Sequence, residues 1–173
     1  MKINEIKEPP YIPNSKAWKR ILTQDFGFKY IDHLNKVPSD ALWTTSCSKT
    51  KSNKKKGLPS EFYISRYNLL FYKYAKSFNL DYGVISDKYG IHIQDEMLSN
   101  YDIHPKELTL NDKFRLGNKI KIKLKKRGYE NIVFYFPSPL MSKPYFQILW
   151  YSSLPVYYIS NIKILDEIKI RLD

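Results

Sequence analysis

Two short polar segments, each directly after an apolar run, carry the residues of this chain that could do chemistry. Cys47-Ser48-Lys49-Thr50-Lys51 follows the apolar run 41–46, and Ser86-Asp87-Lys88-Tyr89-Gly90 follows the run 82–85. Short apolar runs of this kind are typical of buried strands. If these strands are parallel neighbours, both segments lie at the carboxyl edge of one sheet, where open α/β sheets bind their ligands. The spacing therefore predicts a single pocket built from two separate segments.

The first segment combines hydroxyl, ammonium and thiol groups. Residues 48–51 offer side-chain and backbone donors that suit a phosphate or a carboxylate. Cys47 lies near Lys49 and Lys51, and it is a candidate nucleophile because nearby cations lower the pKa of a thiol. No histidine stands at a familiar catalytic spacing from it, so a small packing residue at a strand end is the alternative interpretation.

Acidic side chains follow the second segment at Asp95, Glu96 and Asp102. A carboxylate placed by Lys88 can accept a hydrogen bond from the N–H edge of a nucleobase or serve as a general base. The alternative is that these acids pair with Lys88 or cap the next helix. The candidate catalytic residues are Cys47, Lys88, Asp95, Glu96 and Asp102.

The other polar and aromatic side chains of the predicted pocket are assigned to substrate binding. We expect the lysines to hold phosphate or developing negative charge, and Tyr89 and Tyr101 to stack on a base or to hydrogen-bond to it. These candidates are Ser48, Lys49, Lys51, Ser86, Tyr89, Gly90 and Tyr101.

Several classes of site lack the residues they need. One cysteine and three scattered histidines give no zinc site, and the glycine motifs of nucleotide-binding loops are absent, so we expect no metal, no cofactor and no NTP hydrolysis. The single cysteine, the lack of a membrane-length apolar run and the lack of a secretory apolar region predict a cytoplasmic protein without a membrane partner.

The charge of the chain is strongly basic. Lys and Arg number 29 against 17 Asp and Glu, which gives a net charge of +12, and all but five of these cations are lysines. Lysine attracts the phosphate backbone more than it reads base edges, so the partner we expect is a nucleic acid, tRNA or DNA. A solvated lysine-rich surface is the alternative. The candidate nucleic-acid-binding residues are Lys54, Lys55, Lys56 and Lys143.

The hydrophobic pattern predicts strands that alternate with helices. The strands are 41–46, 82–86, 131–136 and 156–159. One helix begins after Ser15, with Trp18, Ile21 and Leu22 on one face, and a second begins after Ser65, with its core face formed by Tyr67, Leu70, Phe71, Tyr74 and Phe78. A third lies within 105–127 and ends at Gly128. A fourth covers 143–151 with Pro144 in its first turn, and the last begins after Asn161. This order predicts a three-layer α/β sandwich around a parallel sheet of about four strands. An N-terminal arm and short helix, 1–40, would pack on the domain 41–173.

The pocket motifs also have a characteristic order. Cys47-Ser-Lys-x-Lys, Tyr63-x-Ser, Ser86-x-Lys-Tyr-Gly, Asp95-Glu and Tyr101-Asp resemble a small uncharacterised α/β family related to YaaA-like peroxide-stress proteins and to a domain of archaeosine synthase. The resemblance covers about residues 41–110. It implies a role in nucleobase modification of the 7-deazaguanine-pathway type.

The chain departs from that family pattern at three positions. Asp87 stands where alanine is usual and adds a charge at the predicted pocket, Ile91 replaces leucine, and Gln94 replaces proline.

A second resemblance concerns the loop after the third predicted strand. Phe136-Pro-Ser-Pro-Leu is similar to the His-Pro-Ser-Pro-Leu loop of uracil-DNA glycosylases, which adds Ser138 to the substrate-binding candidates. Phe136 replaces the catalytic histidine, so that chemistry is not carried over. The resemblance implies a uracil-DNA-glycosylase-like or Rossmann-like sheet that receives a base at its carboxyl edge. A chance Pro-Ser-Pro turn is the alternative.

The leading hypothesis from the sequence is a protein that binds or processes a nucleobase or nucleoside in tRNA or DNA, either as a nucleobase-modifying transferase or as a glycosidase-like enzyme. One alternative is a non-catalytic binding module that uses the lysines of 54–56 and 119–127. The other is a subunit of a modification complex with a protein partner, docked through an aromatic surface at Trp150, Tyr151, Tyr157 and Tyr158.

Overall fold

A six-stranded, mostly parallel sheet organises the chain. The computed structural model describes residues 18–31, 37–136 and 139–167. The sheet strands are β1 (Lys29–Tyr30), β2 (Ala41–Ser46), β4 (Tyr82–Ser86), β5 (Gly90–Ile93), β7 (Asn131–Tyr135) and β8 (Val156–Ile159), in the spatial order β1-β8-β7-β2-β4-β5. All neighbours are parallel except β5, which runs antiparallel to β4. A separate two-stranded ribbon joins β3 (Lys56–Gly57) to β6 (Leu98–Ser99).

The four strands predicted from the apolar runs are confirmed, and the sheet is larger than predicted by two short strands. Their residues are buried on both faces, since Ile132 and Phe134 of β7 enter one core while Val133 and Tyr135 enter the other. A strand buried on both faces appears in the sequence as a continuous apolar run. β1 has only two residues, and β5 follows β4 after a tight turn, so neither produced a separate run.

Helices pack on both faces of the sheet. The short helix α2 (Pro59–Phe62) leads into helix α3 (Arg66–Ser77). Helix α3 covers one face, where Phe71 stacks on Tyr135 with ring centroids 6.2 Å apart. Helices α4 (Leu110–Lys126) and α5 (Pro139–Tyr151) cover the other, where Phe146 meets Phe134 edge-on at 5.6 Å. The predicted three-layer α/β architecture is therefore present.

The predicted helix ends are largely confirmed. The Ser65 hydroxyl accepts a hydrogen bond from the Asn68 backbone N–H at 3.3 Å and so caps α3. Gly128 follows α4 with a positive φ of 85°, a conformation that glycine adopts without strain. Helix α5 begins earlier than predicted, which leaves Pro144 inside the helix and not in its first turn.

One face prediction is wrong. Tyr67, which its spacing assigned to the core side of α3, is 48% exposed, because Asn68, Phe71 and Ala75 take the inward positions. At the start of α3 the inward-facing position is Asn68 and not Tyr67. The Asn68 side chain faces the sheet, where Nδ2 donates to Ser46 O at 2.9 Å.

The chain ends follow the prediction as far as they are described. Helix α1 (Trp18–Arg20) runs into a π-helical turn, Ile21–Asp25, and buries Trp18, Ile21 and Leu22. Near the other end, Asn161 Oδ1 accepts a hydrogen bond from the Lys163 N–H before a helical turn at 164–167. The proline-rich arm, Ser15, Ile168 and Leu172 lie outside the described residues.

The chain leaves the neighbouring strands β2 and β7 in different directions. The chain leaves β2 towards α3 on one face, and it leaves β7 into α5 on the opposite face, although the two strands are neighbours. Loops that diverge to opposite faces open a crevice at the carboxyl edge of an α/β sheet. Cys47 after β2, Asp87 after β4 and Tyr145 of α5 meet at this edge.

Candidate functional site

Cys47 and Asp87 meet at the carboxyl edge of the sheet. Cys47 directly follows β2, and its backbone N–H bonds Ile85 O of the neighbouring β4 at 2.8 Å. Asp87 directly follows β4. Because this pairing extends the parallel ladder beyond the strands, the Cys47 thiol reaches Asp87 Oδ2, to which it donates a hydrogen bond at 3.2 Å.

Tyr145 completes this group and belongs to the same hydrophobic core as Cys47. It lies on α5, and its hydroxyl is 3.3 Å from Cys47 Sγ. The three side chains are 5–7% exposed. We call Cys47, Asp87 and Tyr145 the carboxyl-edge cluster.

Burial sets the protonation of the cluster. Burial raises the pKa of the Cys47 thiol to about 12, and the nearby charge of Asp87 contributes to this rise. Burial also raises the pKa of Asp87 and of Tyr145 above their usual values. Since a thiolate is the nucleophilic form of cysteine, the resting thiol is a hydrogen-bond donor to Asp87 and not a nucleophile.

The second oxygen of Asp87 lacks a partner in the part of the chain that the structure describes. Oδ1 is buried, and none of the described residues makes a hydrogen bond to it. Hydrogen bonding from Cys47, the nearby charge of Lys51 and the Tyr145 hydroxyl each lower the pKa of Asp87, but burial outweighs them. A buried polar atom without a partner is costly and uncommon, so this acceptor is available to a ligand.

A hydroxyl network lies beside the cluster. Ser86 Oγ donates to Tyr101 OH at 2.8 Å, and Tyr63 OH lies 3.1 Å from Tyr101 OH. The Ser86 hydroxyl also accepts from the Tyr89 N–H at 3.1 Å, which holds the turn between β4 and β5. At the end of this turn Gly90 has a φ of +76°, and a Cβ there would lie 2.8 Å from Leu116 O.

Lys51 supplies a partly buried cation to the same region. Its Nζ donates to Tyr101 O at 3.1 Å and lies 4.0 Å above the centroid of the Tyr101 ring. The ring face attracts the ammonium group and fixes its position. The cation is thereby held within electrostatic range of Asp87.

The structure thus brings together a subset of the residues proposed from the sequence. Cys47, Lys51, Ser86, Tyr89, Gly90 and Tyr101 surround the cluster or its network. Ser48 bonds Thr50 O within its own loop, and the side chains of Lys49, Lys88 and Asp102 are exposed.

The adjacent acids Asp95 and Glu96 are engaged by α4 and the turn that follows it. Asp95 accepts from the Arg127 guanidinium at 2.7–2.8 Å, which lowers the pKa of that carboxyl. Glu96 Oε2 accepts from Lys123 Nζ at 3.0 Å and from the Ile93 N–H at 2.9 Å. Lys123 also donates to Ile91 O at 2.9 Å, so these ion pairs tie the edge strand β5 to α4.

The predicted nucleic-acid-binding lysines belong to two elements, the segment 54–56 that leads into β3 and helix α5. Lys54 pairs with Glu61, whereas Lys55 and Lys56 are exposed beside the β3–β6 ribbon. Lys143 is half-buried on α5. Ser138 lies outside the described residues.

Sequence reasoning did not assign three of the residues that build this site. The sequence predicts Asp87 as an added charge and not as a ligand-binding group, and it gives Tyr145 no role beyond its place in the predicted helix 143–151. Tyr63 was noted only as part of a motif. The signal for Asp87 was its place immediately after a strand, whereas nothing local indicated that Tyr145 turns inward from α5.

Searches for similar proteins give this site no precedent. No family model, curated protein or solved structure matches the chain. Among the described residues, no three His, Cys, Asp or Glu side chains converge as a metal ion requires, and no helix is both long and apolar enough to cross a membrane.

Proposed function

We propose that this protein binds or processes a nucleobase or nucleoside of tRNA or DNA at the carboxyl-edge cluster. Asp87 Oδ1 carries this conclusion: a buried carboxylate oxygen, at the edge where α/β sheets bind ligands, has no partner among the described residues. A carboxylate accepts hydrogen bonds from the amino and imino N–H groups of bases. A base presenting one such donor would satisfy this oxygen.

The surroundings of Asp87 fit an aromatic, partly polar ligand in a nucleic acid. Tyr89 and Tyr101 lie edge-to-face with ring centroids 5.7 Å apart, and Lys51 holds a positive charge against Tyr101. Lys51 covers one face of the Tyr101 ring and Lys88 lies 5.3 Å from the centroid of the Tyr89 ring, so a base would use the remaining ring surface. The ammonium groups would attract a phosphate or a developing negative charge. The net charge of +12 favours an anionic polymer as the source of that base.

The cluster also has groups that can hold or move a proton. The raised pKa of Asp87 makes its carboxyl a stronger base than an exposed carboxylate, and the Cys47 thiol and the Tyr145 hydroxyl remain protonated donors beside it. Asp87 would accept a base N–H, while the two donors would keep the carboxylate oriented. Asp87 therefore takes the role that the sequence suggested for Asp95 or Glu96, because the carboxylates of those two residues have cationic partners.

Entry to the cluster requires movement. Asp87 Oδ1 is shielded from solvent, so a base reaches it only after a covering side chain is displaced. Binding that needs such a change associates more slowly than a rigid encounter.

Co-purified ligand and direct binding test this function. The protein is purified under native conditions, denatured, and its released small molecules are identified by mass spectrometry; the base found is then titrated calorimetrically. Binding should be lost in Asp87→Asn and kept in Asp81→Asn, which makes the same change at the opposite end of β4. Equal affinity in wild type and Asp87→Asn would overturn the proposal, and selective loss in Asp95→Asn would return the role to the adjacent acids.

A further inference from the structure

A second surface of this protein combines exposed aromatic area with positive charge. An open groove of about 560 Å³ runs along the first two turns of α3, bordered by the end of β7 and by the segment after β8. We call it the α3 groove and define it by Arg66, Tyr67, Lys73, Tyr135 and Lys163. Its size falls in the range of pockets that hold a small ligand.

The cations of the α3 groove pair with no acid in the described part of the chain. Arg66, Lys73 and Lys163 make no ion pair there, and no described acid lines the groove. The nearby acid Asp166 accepts a hydrogen bond from Tyr74 OH. Arg66 and Lys73 are seven residues apart on α3 and therefore lie on one side of the helix. The groove thus presents three positive charges that an anionic ligand could neutralise.

Tyr67 gives the groove a flat apolar surface. Its side chain is 48% exposed on α3, although the aromatic spacing predicts a buried position. Leu69, on the same helix, is 53% exposed. A phenol ring surrounded by cations is the arrangement by which proteins bind single-stranded nucleic acid, since bases stack on the ring and phosphates meet the cations.

The α3 groove is physically joined to the carboxyl-edge cluster. Asn68, the neighbour of Tyr67, donates from Nδ2 to Ser46 O at 2.9 Å, and Ser46 directly precedes Cys47. On the other side of the Ser65 cap, Tyr63 belongs to the hydroxyl network beside Asp87. Both surfaces therefore lie at the carboxyl edge of the sheet, on opposite sides of the start of α3.

We propose that the α3 groove binds a single-stranded nucleic acid segment, with its phosphates on Arg66, Lys73 and Lys163 and a base on Tyr67. The choice of nucleic acid rests on the proposed function, in which this segment would flank the base held at Asp87. An acidic peptide would meet the same cations but would gain nothing from the ring of Tyr67.

Fluorescence anisotropy with a short labelled single-stranded RNA, and with its DNA counterpart, tests the charges. The triple variant Arg66→Gln, Lys73→Gln, Lys163→Gln should weaken binding and reduce the slope of log affinity against log salt by about 2, since each phosphate contact on a single strand contributes ~0.7. The matched control is Arg20→Gln, Lys29→Gln, Lys106→Gln, which removes the same charge from exposed cations that do not line the groove. Equal effects of the two triple variants would overturn the proposal.

The ring is tested on the same helix. Tyr67→Ala should weaken binding about fivefold or more, because fivefold is the smallest loss expected when one base loses its stacking partner. Tyr67→Phe should keep the affinity, because it keeps the ring. Leu69→Ala is the control for exposed apolar area. If Tyr67→Ala and Leu69→Ala lose the same affinity, no base stacks on Tyr67. The same conclusion follows if polyglutamate displaces the labelled strand as effectively as the unlabelled strand does. Thermal unfolding confirms that each variant is folded.

The groove and the cluster can fail separately. If a free nucleoside binds at Asp87 while the α3 triple variant holds the labelled strand normally, the groove proposal fails and the proposed function stands. If no nucleoside binds but the α3 triple variant loses the strand, the groove stands without the base site. If the wild-type protein binds neither strand, the groove proposal fails.

Discussion

Cys47 and Asp87 face each other across the carboxyl ends of two neighbouring parallel strands, and the thiol donates a 3.2 Å hydrogen bond to the carboxylate. Both groups are buried, and each has a raised pKa. The thiol satisfies only Oδ2, which leaves the other oxygen without a partner among the described residues. The pair therefore lowers the stability of the folded protein at neutral pH while keeping an acceptor ready for a ligand.

Asp87→Asn should make the folded protein more stable. Burial raises the pKa of Asp87 in the folded protein above its unfolded value, near 3.9. The stability contributed by Asp87 is therefore present below the unfolded pKa and is lost as the pH rises through the folded pKa. The variant removes the ionisation, so its free energy of unfolding should exceed that of wild type by about 1 kcal/mol or more at pH 8, and by less at pH 5. Urea denaturation at both pH values measures this difference.

The control for that gain is Asp81→Asn at the other end of β4. Asp81 is exposed and accepts a hydrogen bond from Tyr129 OH at 2.9 Å, so its replacement should give no gain. If Asp87→Asn is instead less stable than wild type at pH 8, the carboxylate is a satisfied structural group and Oδ1 is not an open acceptor.

The carboxyl edge was predictable from the sequence because it follows from strand ends alone. Once 41–46 and 82–86 are parallel neighbours, Cys47 and Ser86 must lie at the same edge. The contact between Cys47 and Asp87 was not predictable, because it depends on the register that pairs Ser46 with Ile85. Hydrophobic patterns identify strands but do not fix their register when both faces are buried.

Long-range contacts account for the rest of what the sequence did not reveal. Tyr145 reaches Cys47 because α5 follows β7, the neighbour of β2 in the sheet. The cations that engage Asp95 and Glu96 come from α4 and the residue after it, roughly thirty positions later in the chain. Exposure of Tyr67 follows from the inward turn of Asn68. None of these has a local sequence signal.

Asp95→Ala and Glu96→Ala should differ in their effect on stability. The Asp95 side chain is 61% exposed, and its pair with Arg127 is worth less than about 1 kcal/mol. The Glu96 side chain is 18% exposed and accepts from both Lys123 and the Ile93 N–H, so its removal should cost about 1–3 kcal/mol. Chemical denaturation of the two variants measures this contrast. Loss of base binding in either variant without loss of stability would support their assignment as catalytic residues.

Acid should destabilise the protein through His92. The ring is fully buried between Phe62 and Tyr63, its Nε2 lies 2.7 Å from Glu96 O, and Nδ1 has no partner among the described residues. Burial lowers the pKa of His92. A lowered folded pKa gives stability that is present above the unfolded pKa, near 6.5, and is lost as the pH falls towards the folded value.

His92→Gln isolates this contribution. Glutamine can still donate to Glu96 O but does not ionise, so the unfolding free energy of wild type should fall relative to the variant by about 1.4 kcal/mol per pH unit between the two pKa values. The comparison is made in the Asp87→Asn background, because Asp87 titrates with the opposite sign. Parallel pH profiles with and without His92 would contradict the predicted burial of a neutral ring.

The Cys47 thiol should react slowly with iodoacetamide in the folded protein. With a pKa of about 12, its thiolate fraction at pH 8 is about 10⁻⁴, against roughly 0.2 for an ordinary cysteine with a pKa near 8.5. Alkylation should therefore be roughly a thousandfold slower than in the denatured chain, whose only cysteine is the same residue. Asp87→Asn should accelerate the reaction, because the charge of Asp87 raises the thiol pKa, while Asp81→Asn leaves the rate unchanged. Intact-mass spectrometry over time measures both rates. A folded protein that reacts as fast as the denatured one would contradict the raised thiol pKa, and one that reacts faster would mean that Cys47 is an activated nucleophile.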